Sequence, residues 1–143
     1  MNFNCSDELK ASHALYVADL INKKDFAAAA SGCELGDVRE CAKSRCWNGV
    51  HYHPIIEHAF ERRLQAHVGD QRGVSSTGKL LTVGVCAEQQ AANKVLKTSY
   101  PEDKEENVYC YNSDISRLKF TEAIRPKSKK TIPPCENCQL LFD

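Results

Sequence analysis

The residues of this chain best suited to chemistry are three cysteines and one glutamate in two short motifs. The first motif, "GVCAEQQAANKV", covers residues 84 to 95 and places Cys86 two positions before Glu88. The second, "PPCENC", contains Cys135 and Cys138 as a Cys-x-x-Cys pair. Thiolates at this spacing are typical zinc ligands, and a catalytic zinc takes three protein ligands and keeps its fourth position for water. The sequence therefore predicts one zinc site formed by Cys86, Cys135 and Cys138.

Both motifs have the features of helix starts, which explains why these residue types stand there. A helix N-terminus favours the negative sulfur that a metal ligand needs. Pro133 and Pro134 suit the entry to the second helix, because proline is tolerated where the first N–H groups have no partner. Glu88, in the first turn of the other helix, can lie beside the metal without binding it. A carboxylate at that place can carry a proton between a zinc-activated water and a substrate nitrogen.

Other interpretations of the eight cysteines stay open at this stage. The zinc site is structural if Cys110 or a histidine closes it, and Glu88 is then only a favourable first-turn acid. A disulfide scaffold suits a secreted chain, although 42% hydrophobic residues suffice for an ordinary core. The cysteines outside the two motifs are otherwise buried small hydrophobes or incidental thiols: Cys5, Cys33, Cys41, Cys46 and Cys110. A second metal set has the spacing C-x4-C-x4-H-x-H, which matches no common zinc template: Cys41, Cys46, His51 and His53.

Composition sets the frame for these residues. The 143 residues suit one domain, 1–143, with a real core. Lys plus Arg and Asp plus Glu each total 19, so the chain as a whole offers no broad attraction to nucleic acid or membrane. The first ten residues lack a basic segment followed by an apolar run, and no stretch approaches a membrane span. A soluble protein is expected.

Two helices are predicted from periodicity. The segment 53 to 69 has Pro54 at a first helical position, apolar residues every four positions from Ile56 to Leu64, and Gly69 to end it. The motif helix runs to about Lys97, and its buried face contains Ala87, Ala91, Ala92, Val95 and Leu96.

The remaining segments are assigned from turn and strand signals. Residues 13 to 32 fit either an alanine-rich helix or a β-hairpin, and residues 33 to 49 are treated as a connection. A loop at 70 to 84 contains a short strand at Leu80 to Val83, and an acidic turn at 101 to 106 precedes a strand at 107 to 112. The basic run "RPKSKK" is either an exposed loop or a phosphate-binding patch.

Cys-Ala-Glu followed by Pro-Cys-x-x-Cys resembles the signature of the zinc-dependent nucleobase deaminases. Within that superfamily of cytidine and nucleobase deaminases, the chain is most similar to the toxin-type, YwqJ-like group, through "HPIIEHAFERR", "GVCAEQQAANK" and "PPCENCQLLF" in that order. The resemblance implies an α/β fold, a three-layer α-β-α sandwich of the cytidine deaminase-like type with a small mixed sheet. It also implies that residues 13 to 32 form a hairpin and that 107 to 112 form the next strand.

The resemblance further implies hydrolytic deamination. Zinc lowers the pKa of its water, Glu88 accepts the proton, hydroxide attacks C4 of a cytosine-like ring, and Glu88 protonates the ring nitrogen and the leaving amine. The expected cofactor is one Zn²⁺ per chain. The rival expectation is a catalytically silent, zinc-stabilised binding module or partner subunit on the same fold.

The expected substrate is single-stranded DNA or RNA, or a nucleotide, because "SSTGKLLTVG" lacks the Asn-x-Glu element that binds ribose in free-cytidine deaminases. Candidate substrate contacts are Asn48, Ala87, Lys127, Lys129 and Lys130. Asn48 is also the first half of an Asn-Gly turn. Toxin-type relatives imply a possible immunity or partner protein, with delivery into a target cell for a toxin fragment and a cytoplasmic location for a free-standing protein. No membrane partner is expected.

Overall fold

The computed structural model describes residues 1–75, 77–102 and 111–143, except the side chains of Tyr111 and Asn112. The described elements, in chain order, are α1 (Asp7–Asn22), β1 (Ala30–Leu35), β2 (Val38–Lys43), α2 (Pro54–Ala59) with a π-helical turn (Phe60–Leu64), β3 (Gln71–Val74), β4 (Leu80–Thr82), α3 (Ala87–Ser99), α4 (Tyr111–Ser116), β5 (Lys119–Phe120), β6 (Ala123–Ile124), β7 (Thr131–Ile132) and α5 (Glu136–Leu141). Within these ranges, no helix is long and apolar enough to cross a bilayer.

The main sheet has the order β2-β1-β6-β7, and β5 also pairs with β1 beside β6. Every pairing between described strands is antiparallel. The mixed sheet expected from the resemblance is therefore not what the described strands form. β1 and β2 are joined by a tight two-residue turn, Gly36-Asp37, in which Gly36 has φ at +59°.

Helices cover both faces of β1, which buries all six of its residues. Leu9 of α1 packs over Gly32, where an added Cβ would lie 3.0 Å from a Leu9 methyl group. Cys33 and Leu35 instead belong to the main core, which also contains Ala91 and Val95 of α3. The alternation follows from the two-residue period of a strand. The expected α/β class is confirmed, and α3 is thereby held on the central strand.

The hairpin expected at residues 13 to 32 is wrong. α1 occupies the first half of that segment, and its start is fixed by Ser6, whose hydroxyl accepts the Leu9 N–H at 3.1 Å. One buried stripe at helical spacing then faces the sheet: Leu9, His13, Val17 and Leu20. The real hairpin, β1 with β2, falls largely in the segment 33 to 49 that was assigned as a connection.

The helix predicted at 53 to 69 begins as expected and ends early. His53 is the N-cap residue of α2, with Pro54 at the first helical position. The π-helical turn ends at Leu64, because Gln65 adopts the left-handed conformation with φ at 54° and Arg72 Nε donates to the Leu64 carbonyl at 2.7 Å. The strand predicted at Leu80 is confirmed as β4, and it pairs with β3, which was not predicted.

Two predictions fall partly outside the described residues. The strand expected at 107 to 112 lies outside the described residues up to Cys110, and Tyr111 begins α4 rather than continuing a strand. Residues 103 to 106 of the predicted acidic turn also lie outside the described ranges. The basic run from Arg125 to Lys130 is the exposed turn between β6 and β7, with only Pro126 buried.

Candidate metal centre

The turn before α3 is held by buried hydrogen bonds. Gly84 has φ at +100°, which favours glycine, and a Cβ there would lie 2.8 Å from the Tyr52 hydroxyl oxygen. The Gly84 carbonyl accepts the Tyr52 hydroxyl at 2.7 Å and Gln90 Nε2 at 2.6 Å. Cys86 follows as the N-cap residue of α3, and its thiol accepts no capping hydrogen bond from the helix. The turn therefore presents this thiol away from the helix backbone.

The second motif begins α5, as predicted, with Cys135 as the N-cap residue. The backbone N–H of Cys138 donates to Cys135 Sγ at 3.4 Å, which holds the two thiols on one helical turn. Asn137 between them is fully buried and fixes the helix to β3 through Arg72. Arg72 donates to Asn137 Oδ1 at 2.8 Å, and Asn137 Nδ2 donates to the Arg72 carbonyl at 2.7 Å.

The three thiols of the two motifs meet although the motifs are distant in sequence. Cys86 Sγ lies 3.4 Å from Cys135 Sγ, and the sulfurs of Cys86, Cys135 and Cys138 all lie within 4.8 Å of one another. Tetrahedral Zn–S bonds of about 2.3 Å place neighbouring sulfurs about 3.8 Å apart. The sulfurs are free thiols rather than a disulfide. This set could hold a metal ion.

Gln89 connects the two motifs through its fully buried amide group. Its Oε1 accepts the Gly84 N–H at 2.7 Å, and its Nε2 donates to Cys138 Sγ at 3.5 Å. One side chain thus orients both the turn that leads to Cys86 and the sulfur of Cys138. Hydrogen bonds of this kind around metal ligands set ligand geometry and metal affinity.

The thiols differ in proton affinity. The pKa of Cys135 is lowered to about 3, because the thiols of Cys138 and Cys86 and nearby backbone N–H groups donate hydrogen bonds to its sulfur. The pKa values of Cys86 and Cys138 are raised, chiefly because each thiol donates a hydrogen bond to Cys135 and also because burial desolvates both thiols. Metal binding to this set would release the protons that its thiols carry.

Glu88 lies beside this cluster and outside it. Its side chain is buried, with 6% exposed, and burial raises its pKa to about 7, with a smaller contribution from the negative charge of Cys135. A cation held by the thiols would act in the opposite direction, since it favours the carboxylate. In the part of the chain that the structure describes, the metal-capable cluster contains no fourth ligand and no oxygen from Glu88.

A surface groove of about 530 Å³ opens at Cys135. One wall consists of Cys135, Glu136 and Gln139 at the start of α5. The other residues that line it come from the β3–β4 hairpin and from the β7 region: Val74, Ser75, Thr77, Arg125, Ile132, Pro133 and Pro134. The groove therefore connects one of the three clustered cysteines to solvent.

The alternative metal set is not brought together. Among the described residues the only cluster of metal-capable side chains is the three-thiol set. His53 accepts the Ile55 N–H on Nδ1, and its Nε2 bonds the Tyr100 carbonyl oxygen at 2.7 Å. His51 pairs instead with Glu102 at 2.6 Å. Cys110, proposed as a closing ligand, lies outside the described ranges.

The predicted substrate contacts occupy different places. Asn48 is exposed in a turn. The loop that contains it is joined to the Cys86 turn by a hydrogen bond from the Arg45 backbone N–H to the Val85 carbonyl. Ala87 is fully buried. Lys130 lines a cavity of about 240 Å³, whereas Lys127 and Lys129 line neither that cavity nor the groove. Their roles in substrate binding stay predictions.

Sequence reasoning missed Gln89 and Tyr52. Gln89 and Tyr52 act through bonds to the motif turns, and only the three-dimensional structure reveals those bonds. Comparison with protein-family models, with curated proteins and with solved structures found no match.

Proposed function

We propose that the protein is a zinc-dependent hydrolytic deaminase of a cytosine-type base in single-stranded nucleic acid or a nucleotide. The proposal depends on one observation: the carboxyl group of Glu88 is buried beside three convergent thiols. An all-cysteine set suits zinc among the common divalent ions. The two sequence motifs supply the reaction class.

In this mechanism the protein's side chains move two protons in turn and would hold the metal. Cys86, Cys135 and Cys138 would hold Zn²⁺, which supplies a Lewis acid that lowers the pKa of a water molecule. Glu88 accepts a proton from that water and delivers protons to the ring nitrogen and the departing amine. The water oxygen bonds C4, the C4–N bond breaks, and a uracil-type base and ammonia result.

The fold supports this proposal at a finer level. β1 lies between α1 and α3, which is the layering expected of a cytidine deaminase-like domain. The two motif helices, α3 and α5, start at the same place, as two halves of one catalytic centre require.

A silent zinc-stabilised module would use the same thiols but has no need of Glu88. Burying a carboxyl group costs free energy unless hydrogen bonds or a nearby charge such as a metal ion compensate it. Only one of the first-turn acids of α2, α3 and α5 is buried: Glu88, whereas Glu57 and Glu136 are exposed. The burial of this one acid at the metal site favours the enzyme.

Glu88→Gln tests the proposal, with Glu57→Gln as the matched control on an exposed first-turn acid. We expect Glu88→Gln to retain zinc and to release ammonia from a cytosine-containing oligonucleotide or from cytidine monophosphate at least about 100-fold more slowly. Glu57→Gln should retain the parent rate. Equal rates for both variants and the parent would remove Glu88 from the chemistry.

A further inference from the structure

In the basic turn between β6 and β7, two of the four cationic side chains line a cavity and two do not. The turn is closed by backbone bonds, from the Arg125 N–H to the Lys130 carbonyl at 2.9 Å and from the Lys129 N–H to the Arg125 carbonyl at 2.8 Å. Arg125 and Lys130 line the cavity of about 240 Å³ together with Ser128. Lys127 and Lys129 carry the same charge on the same turn but do not line it. The turn therefore aims selected side chains at one place.

This cavity adjoins the groove that reaches the sulfur cluster. Arg125, Ile132 and Pro133 line both spaces, so one continuous surface joins them. The groove ends at Cys135, one of the three thiols. A ligand with a ring at the metal site can therefore extend a charged group into the smaller cavity.

The small cavity is suited to an anion. Its lining contains two cations and the hydroxyl groups of Ser128 and Thr131, and no acid. None of the ion pairs among the described residues involves Arg125 or Lys130. The one acid of the larger groove, Glu136, is turned toward β3, where its Oε2 accepts the Val74 N–H at 3.4 Å. Arginine binds phosphate with two parallel hydrogen bonds, and lysine adds a point charge.

We propose that Arg125, Ser128 and Lys130 form a subsite for one phosphate group of the substrate. The protein then deaminates phosphorylated cytosine compounds in preference to the free base or nucleoside. The phosphate is either the monoester of a nucleotide or a diester of a single strand. This inference depends on the proposed function for the base, but phosphate binding itself does not require turnover.

The test is calorimetric titration of the zinc-loaded protein with cytidine monophosphate and with cytidine, in the parent, Arg125→Ala and Lys119→Ala. Lys119→Ala is the control, because it removes one positive charge from an exposed position on β5 that lines neither the cavity nor the groove. We expect Arg125→Ala to weaken binding of the monophosphate about tenfold or more, and Lys119→Ala to change it less than about twofold. Cytidine binding should be the same in all three proteins. Equal losses in the two variants, or no loss in Arg125→Ala, would overturn the subsite.

Two further measurements distinguish a phosphate monoester from a diester, and the subsite proposal from the deaminase proposal. If Arg125→Ala also weakens binding of a short cytosine-containing oligonucleotide about tenfold, the subsite accepts a diester; if only the monophosphate is affected, it is a monoester site. Arg125-dependent binding without ammonia release from any ligand would retain the subsite and contradict the deaminase. Turnover of cytidine as fast as that of its monophosphate, unchanged in Arg125→Ala, would retain the deaminase and contradict the subsite.

Discussion

Gln89 and Cys138 are joined by an N–H···S hydrogen bond of 3.5 Å, although they are 49 positions apart in the chain. Both side chains are fully buried. Because the other amide atom of Gln89 accepts the Gly84 N–H, the same residue braces both halves of the metal centre. The positions of the thiols are therefore fixed in part by hydrogen bonds with Gln89, a side chain that is not itself a metal ligand.

This brace predicts a specific loss of metal affinity. Gln89→Leu removes the bond to Cys138 Sγ and should lower zinc affinity by about 10-fold to 100-fold, measured by competition with a chelator. Asn93→Leu is the matched control, since Asn93 is also a buried amide on α3 but bonds the His53 N–H and the His51 carbonyl, away from the Gly84 turn. Asn93→Leu should lower the free energy of unfolding without a comparable loss of affinity. Equal zinc affinities in the two variants would contradict the brace.

The turn before Cys86 predicts an unusual sensitivity to a methyl group. Gly84→Ala places a Cβ 2.8 Å from the Tyr52 hydroxyl in a backbone conformation with φ at +100°. Gly36→Ala is the control, because its φ of +59° is also strained but nothing lies within 4 Å. Each variant should lose about 1 kcal/mol from strain, and Gly84→Ala should lose about 1–3 kcal/mol more from overpacking. Urea unfolding measures both, and equal losses would show that the turn yields.

Two helix starts and the three clustered cysteines could be predicted from the sequence. The helix starts at His53 and Cys86 follow from proline, cap and periodicity signals, and the three metal-capable thiols follow from Cys-x-x-Cys and Cys-Ala-Glu. Propensity left residues 13 to 32 open between a helix and a hairpin, and the resemblance wrongly favoured the hairpin, although Ser6 before Asp7 and Glu8 is a helix-start signal. The β1–β2 hairpin was missed although Gly36-Asp37 is a typical two-residue turn.

The remaining features depend on tertiary contacts that no local pattern encodes. The end of the second helix at Leu64 depends on Arg72, which reaches its last carbonyl from β3. Gln89 looks like any polar residue on a helix until α5 packs against it. Arg125 cannot be told from Lys127 by composition, because only the turn decides which of them lines a cavity.

His13 predicts how stability changes with acid. Its ring is buried, its Nε2 lies 3.0 Å from the Ala30 carbonyl oxygen, and burial lowers its pKa below the ordinary 6.5. In the unfolded chain His13 is protonated near pH 6.5, whereas in the folded chain it stays neutral to lower pH. The free energy of unfolding therefore falls as the pH drops below about 6.5. In urea unfolding, His13→Gln should lose less stability than the parent between pH 7.5 and 5.5. An unchanged pH dependence would mean that His13 is protonated equally in both states.

The most direct test of the account is the zinc content of the purified protein, measured by mass spectrometry for the parent, Cys86→Ala and Cys46→Ala. Cys46 is an exposed cysteine outside the cluster and serves as the control. We predict about one zinc per chain in the parent and in Cys46→Ala, and little or none in Cys86→Ala, because a site of three thiols loses one ligand. A parent without metal, or a Cys86→Ala protein with its full zinc, would contradict a metal centre shared by the two motifs, and the proposed deamination would fall with it.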